Sequence, residues 1–159
     1  PPQIVRKPEG KTRYKEEGEK VVRPTSPPPP PPPKVIRAKN ILFEGYRAED
    51  AANRRPAVFR GNGYLTEIQK VADILRDNPG FTVRIRASVG SDGGSAPPFF
   101  DEKDIANWIK LTMIQRNRAV ANQLKARGID PRRITTELGD VGSGEEDRKV
   151  EFFFDKPGQ

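Results

Sequence analysis

Cysteine and histidine are both absent from this chain of 159 residues. Their absence excludes disulfides, thiol catalysis, Cys/His metal sites and histidine general bases. Carboxylates, lysines, hydroxyls and arginines remain, so the residue inventory predicts a protein that is not an enzyme and carries no cofactor. The acidic run Glu145, Glu146 and Asp147 is the nearest approach to a cation site. Its spacing matches no EF-hand loop and is typical of a solvated turn.

Apolar residues are also scarce, at 33% of the chain. No apolar run reaches membrane-spanning length, and no signal peptide is visible. Because the sequence does not begin with Met, we expect a processed or excerpted chain whose membrane anchor, if it has one, lies outside it. The apolar residues are concentrated after Val35, so only the later part of the chain is expected to bury a sizeable core.

Basic residues exceed acidic ones, 29 against 22, which gives a net charge of +7. This excess favours contact with polyanions such as nucleic acid, anionic lipid or cell-wall polymer. RNA-binding strands interleave aromatic residues with basic ones, and the basic runs here show little of that pattern. The sequence therefore argues against nucleic acid as the partner.

Proline is the most prominent residue of the first segment, with an uninterrupted run at 27–33. Such a run adopts an extended polyproline helix and acts as a stiff spacer. We therefore divide the chain into a charged and Pro-rich linker at 1–33, a domain at 34–156 and a tail at 157–159. As a ligand for an SH3-type groove, the run lacks flanking residues that would give specificity.

Hydrophobic periodicity predicts the elements of the domain. In chain order these are a strand at 34–44, a loop with a helical turn at 47–63, a helix at 64–77, a strand at 81–88, a glycine-rich loop, a long helix at 101–127, a short strand after Gly128 and a strand at 148–154. The core-facing stripe of the first long helix is Leu65, Ile68, Val71, Ala72 and Leu75. This βαβαββ order predicts an α+β sandwich with the helices on one face of the sheet. The short connection before the second strand also admits a crossover that pairs the first two strands.

One stripe of the long helix contains an unexpected charge. Arg116, Val120, Leu124 and Gly128 follow one another at four-residue steps and share one face. Val120 and Leu124 are predicted to face the core, as is Trp108 earlier in the helix, and Gly128 is the stop signal. An arginine on that face needs a partner, an exit to solvent or a ligand.

Four segments are informative in combination: ILF in the first strand, VADILRDNPGFTVRIRAS, the stripe RNRAVANQLKARG with IDPRRI after it, and the closing DRKVEFFF. In this order and spacing they resemble the OmpA-like peptidoglycan-binding domain family, of the OmpA C-terminal, Pal and MotB type. The resemblance covers residues 34–156 and implies the OmpA-like two-layer sandwich. A proline-rich linker before such a domain is common in the family.

The resemblance implies a non-catalytic function in the periplasm or cell envelope of a bacterium. Such domains hold the diaminopimelate-type stem peptide of peptidoglycan and anchor outer-membrane or other envelope complexes. A helix arginine grips the ligand's carboxylate, and an aspartate after the second strand pairs with its ammonium. The arginine falls on Arg116 by spacing. Arg118 competes because Arg118-Ala119 reproduces the family's Arg-Ala pair.

The aspartate of the family pattern falls on Gly90, so the expected carboxylate is absent there. Asp92 is the nearest substitute and requires a shift of the loop. The following loop is enlarged by APPFFDEKD, and the last connection between strands is shortened to VGSGEED.

Two functions remain open at this point. One is an anchoring module that binds peptidoglycan through Arg116, Asp92 or Arg118. The other is a degenerate OmpA-like domain that serves as a structural or protein-interaction unit in an envelope assembly such as a motor, secretion or injection machine. In that role Phe99 and Phe100 would contact other envelope proteins. The sequence leaves the oligomeric state open and allows membrane contact only through an anchor outside the chain.

Overall fold

The computed structural model describes residues 27–29, 36–94 and 99–158. Its helices and strands are β1 (Ile41–Leu42), α1 (Ala48–Ala52), α2 (Gly63–Asp77), β2 (Thr82–Val89), α3 (Glu102–Ala126), β3 (Ile134–Val141) and β4 (Lys149–Asp155). Short 3-10 turns occupy Ser91–Gly94, Pro131–Arg133 and Glu145–Asp147. Most of the predicted linker lies outside the described residues, so the boundary at 33 stays a prediction.

The four strands form one sheet in the order β1-β4-β2-β3. β2 is parallel to β3 and antiparallel to β4, and β4 is antiparallel to β1. Val83, Ile85 and Ala87 of β2 are fully buried and alternate with half-buried residues, as expected for a strand with one covered face. The predicted α+β sandwich with this element order is confirmed.

The first two strands, which the sequence allowed to pair, are not neighbours in the sheet. β4 lies between β1 and β2, so the parallel neighbours joined by a helix are β2 and β3, with α3 as the crossover. β4 pairs with β2 from Val150 to Asp155 on one side and with Ile41 and Leu42 of β1 on the other. The final strand therefore completes the centre of the sheet.

Three smaller expectations also differ from the structure. The first strand, predicted at 34–44, is limited to β1 and a single bridge between Phe43 and Phe59. The strand after Gly128, predicted to be short, has 8 residues. Leu65 is 44% exposed, whereas the other four residues of the predicted stripe on α2 are buried. The helical turn predicted within 47–63 is confirmed as α1.

The long helix α3 positions Arg116 in the interior. Asp101 caps its first turn by accepting a hydrogen bond from the backbone N–H of Asp104 at 2.9 Å. Gly128 terminates it in the left-handed conformation, with φ of +88°. Trp108, Val120 and Leu124 are buried as predicted, and Arg116 lies among them with no exposed surface.

The end of α2 is held by an arginine from another part of the chain. Arg133 donates through Nη2 to the carbonyls of Leu75 and Asn78, at 2.7 and 2.9 Å, and through Nε to that of Phe81 at 3.0 Å. Carbonyls in the last turn of a helix have no partner within the helix, and they carry partial negative charge. Arg133 thus joins the start of β3 to the end of α2.

Candidate functional site

Arg116 is the centre of a buried polar cluster at one end of the sheet. Its Nη1 donates to the carbonyl of Ser88 at 2.9 Å. Its Nη2 donates to the carbonyl of Glu44 at 3.2 Å and to the carboxylate of Asp92. The guanidinium carbon also lies 5.6 Å from the centre of the Phe43 ring. The arginine on the apolar stripe therefore has partners from three separate segments of the chain.

Asp92 reaches Arg116 because the 3-10 turn Ser91–Gly94 folds its side chain back towards the sheet. Its Oδ1 accepts from the backbone N–H of Gly90 and its Oδ2 from that of Tyr46, both at 3.0 Å. The turn supplies the loop shift that the sequence analysis required. The two side chains form a direct ion pair, 0% and 1% exposed, and do not face each other across an open cleft.

Burial has a clear effect on the arginine. It lowers the pKa of Arg116 from its ordinary value, the Asp92 carboxylate opposes that shift, and the positive charge of Arg148 adds to it. A guanidinium nevertheless remains protonated in proteins, so Arg116 keeps its positive charge. One donor of the cluster is unused, because Nε of Arg116 has no hydrogen-bond partner among the described residues.

Gly90, where the family pattern would place its aspartate, has no room for a side chain. A methyl group added there would lie 2.1 Å from the Gly144 carbonyl oxygen and 2.9 Å from the Arg148 nitrogen. The backbone N–H of Ser91 also donates to Gly144 O at 3.0 Å. The shortened connection at 142–148 therefore packs directly on Gly90. The shortened connection therefore occupies the space that an aspartate side chain at position 90 would need.

Arg148 is a site residue that the sequence analysis missed. Its Nη2 donates to Ser91 Oγ at 2.5 Å, and its guanidinium lies against the backbone of Gly45. Its Nε is buried without a partner, and no carboxylate of the described residues lies within 4.0 Å of it. Since Asp92 is paired with Arg116, Arg148 is a positive charge beside the cluster that has no carboxylate partner among the described residues. The available signal was the DRKVE segment, which the sequence analysis used only to recognise the fold.

Arg118 does not reach this cluster. Two residues along a helix correspond to a rotation of about 200°, so Arg118 lies on the opposite side of α3 from Arg116. It is exposed there and borders a groove beside Thr136 and Leu138 of β3. The structure brings together Arg116 and Asp92, two of the three predicted binding residues, and places Arg118 elsewhere.

The two phenylalanines predicted to bind a partner differ from each other. Phe99 is 82% exposed, whereas Phe100 is half-buried and packs against the core. Their ring centres are 5.4 Å apart in an edge-on arrangement. Pro97 and Pro98, which precede them, lie outside the described residues.

The acidic run at 145–147 forms a turn. Glu145 and Glu146 are exposed, and Asp147 Oδ2 accepts from the backbone N–H groups of Ser143 and Gly144 at 3.2 and 3.1 Å. Within 27–29, 36–94 and 99–158, no three acidic side chains are arranged to hold a metal ion. No helix of the same residues is long and apolar enough to cross a membrane.

Comparison with known proteins gives matches among solved structures alone. No protein-family model and no curated protein matches the chain. The OmpA-like domain of FopA1 from Francisella tularensis is 20% identical, with a TM-score of 0.49 over 77% of this chain and 78% of that one. The periplasmic domain of Helicobacter pylori MotB (residues 97–256) is 16% identical, with a TM-score of 0.37 over 78% and 84%. The chain thus resembles OmpA-like domains, the family that its sequence motifs indicated.

Proposed function

We propose that this chain is a non-catalytic module that anchors an envelope complex to the cell wall by binding the diaminopimelate-type stem peptide of peptidoglycan. The observation that carries the proposal is the contact between Asp92 and Arg116, with Arg148 beside it. A small zwitterion needs one fixed negative group and one fixed positive group at close range. This cluster supplies one carboxylate and two guanidinium groups.

In the proposed complex the ligand takes the place of the internal contact. Its ammonium pairs with Asp92, and its carboxylate is held by Arg148 and Arg116. Arg148 is the first contact, because it is only half-buried and has no carboxylate partner in the described part of the chain. Ser91 Oγ, already bonded to Arg148, is a further group within reach of the ligand.

Access requires the turn Ser91–Gly94 to open, since both members of the ion pair are buried. Opening separates a buried pair, which costs several kcal/mol unless each charge gains a new partner. A zwitterion replaces both partners at once. A simple anion or cation replaces only one of them, so the closed pair favours ligands that carry both charges.

Sedimentation with isolated sacculi tests the proposal. The unmodified chain should pellet with sacculi at a salt concentration that screens the general attraction of a +7 chain for anionic polymer. Arg148→Gln should reduce this retention by about tenfold or more, because hydrogen bonds to charged groups contribute about 1.5–3 kcal/mol. The matched control is Lys110→Gln, which removes one exposed positive charge from the first half of α3. Equal loss in the two variants, or no retention of the unmodified chain, would contradict the proposal.

Competition with small molecules identifies the recognised groups. Diaminopimelate should displace the chain from sacculi, whereas 1,5-diaminopentane should not. 1,5-Diaminopentane keeps both amino groups of diaminopimelate and lacks both carboxylates. If it competed equally well, a carboxylate would not be the group that the arginines recognise.

A second function, as a protein-interaction unit of an envelope assembly, is favoured by one observation. Phe99 is an exposed aromatic side chain at 82% exposure, on a segment that the enlarged loop adds to the fold. Phe99→Ser separates the two functions. Under the anchoring proposal it leaves retention on sacculi unchanged, whereas under the interaction proposal it removes binding to the partner complex and the chain does not bind sacculi.

A further inference from the structure

A groove of about 450 Å³ runs between α3 and β3, on the side of α3 that faces away from the Asp92–Arg116 pair. Among the described residues, β3 lies at the end of the sheet and pairs with no strand other than β2, so no strand covers its outer edge. We propose that this α3–β3 groove binds an extended acidic peptide segment of a partner protein, which adds a strand to β3. The proposal is independent of the binding of peptidoglycan.

Asn117 provides the first argument. Its Nδ2 donates to the backbone carbonyl of Glu137 on β3 at 2.9 Å, which fixes the orientation of the amide. Its Oδ1 is buried and accepts no hydrogen bond from the described residues, although Asn117 is only 3% exposed. A buried acceptor without a donor costs about 1–3 kcal/mol. An amide that donates to an edge strand and leaves its oxygen unused resembles one peptide unit of a further strand, and a backbone N–H of the added segment would satisfy it.

Charge determines which kind of segment fits. Arg118 and Lys125 line the groove two helical turns apart, or about 10 Å along α3. Neither has a carboxylate within 4.0 Å among the residues described. The acid on the strand side, Glu137, is already paired with Arg86 at 2.6 Å and Arg84 at 3.4 Å. The groove therefore has two unmatched positive charges, and acidic side chains are complementary to them.

The apolar side chains beside the α3–β3 groove and the length of the groove also suit an added strand. Leu138 and Val141 of β3 are 47% and 59% exposed, and Ala121 lines the floor between the two cations. The groove extends from Ile114 to Lys125, about 16 Å at 1.5 Å per helical residue. At about 3.3 Å per strand residue, that length accommodates about five residues of an added strand. Backbone pairing would provide affinity, and alternate side chains would meet the cations.

The experiment titrates the isotopically labelled full chain with a synthetic octapeptide in which Glu alternates with Thr and Val, and follows backbone amide signals by NMR. Shifts should be confined to β3 and to the half of α3 from Ile114 to Lys125. A version with N-methylated amides on the edge that faces β3 keeps every charge and cannot pair, so its binding should fall at least tenfold. A version with Lys in place of Glu should fail to bind.

Paired variants complete the test. Arg118→Gln with Lys125→Gln should weaken binding at least tenfold, whereas Lys103→Gln with Lys110→Gln, which removes two exposed charges from the first half of α3, should not. Equal binding of the N-methylated peptide, or equal weakening in the two double variants, would reduce the interaction to general charge attraction and overturn the proposal. Broadening of the β3 signals with protein concentration, without any peptide shift, would overturn it in favour of self-pairing.

Discussion

Arg116 and Asp92 show what a buried ion pair contributes at the scale of single residues. Taking two charges out of water costs several kcal/mol each, and their attraction repays this only when the remaining hydrogen-bond groups are satisfied. Here the backbone carbonyls of Ser88 and Glu44 and the backbone N–H groups of Gly90 and Tyr46 satisfy all of them except Nε of Arg116, which has no partner among the described residues. The pair therefore fixes the conformation of the turn after β2 more than it adds net stability.

This balance leads to a prediction about single and double substitutions. Asp92→Ala leaves Arg116 buried without its counter-ion and should lower the free energy of unfolding by about 3–5 kcal/mol. Adding Arg116→Met removes the buried charge and should recover part of that loss, so the two changes are not additive. Urea unfolding of the two single variants, the double variant and the unmodified chain measures the coupling. Additive losses would mean that the two side chains do not interact in solution.

Tyr46 provides a pH-dependent prediction. Burial, followed by the negative charge of Asp50, raises the pKa of its hydroxyl from 10.0 to about 12. The hydroxyl donates to the Arg55 carbonyl, which the ionised form cannot do. Because the folded-state pKa is raised, the stabilisation is complete below pH 10 and is lost as the pH rises from 10 to about 12.

Alkaline titration of tyrosinate absorbance measures this effect. The unmodified chain should show a late ionisation step from Tyr46, and Tyr46→Phe should lack that step. The variant should also lose less stability than the unmodified chain between neutral and strongly alkaline pH. A late step that persists in Tyr46→Phe would assign it to another tyrosine.

At the scale of elements, arginine side chains link segments that are far apart in the sequence. Arg133 bonds three carbonyls near the end of α2, whereas the neighbouring Arg132 is 89% exposed and, within the described part of the chain, pairs only with Asp130. The two residues are adjacent in sequence and have the same chemistry. They form a natural pair for measuring what interactions between elements contribute.

Arg133→Ala should lower the free energy of unfolding by about 1.5–3 kcal/mol, since it removes charge-assisted bonds from carbonyls at a helix end. Arg132→Ala should change it by less than about 1 kcal/mol, as expected for an exposed ion pair. Thermal or urea unfolding distinguishes the two. Similar values would show that the carbonyls of Leu75, Asn78 and Phe81 are equally well solvated without Arg133.

The same elements show how far the sequence predicts the structure. Periodicity identifies α2, β2 and α3 because each has one covered face, and the glycine after α3 marks its end. The hydrophobic period of a strand shows which of its faces is covered but not which strands lie beside it, so the central position of β4 was not predicted. Part of the site was predicted, because the four-residue steps from Arg116 to Val120 and Leu124 place Arg116 on the buried face of α3. The return of Asp92 through a 3-10 turn depends on the packing of Gly144 on Gly90, a contact between residues 54 positions apart that no local pattern contains.

At the scale of the whole domain, α3 separates two charged surfaces. One side of the helix presents Arg116 to the buried cluster, and the other presents Arg118 and Lys125 to the groove beside β3. The two proposed ligands, a zwitterionic wall peptide and an acidic protein segment, therefore contact opposite faces of one rigid element. Both can be bound together without competing for the same residues.

The brevity of β1 has a mechanical consequence under the anchoring proposal. Tension applied from the N-terminal side acts first on β1, which pairs with β4 over two residues at the edge of the sheet. Peeling this strand away pulls on the next residues, 44–46, whose backbone holds both Arg116 and Asp92. Load would thus loosen the contact between Arg116 and Asp92 before it separates the central strands, so the proposed binding to the wall would depend on the tension that the chain carries.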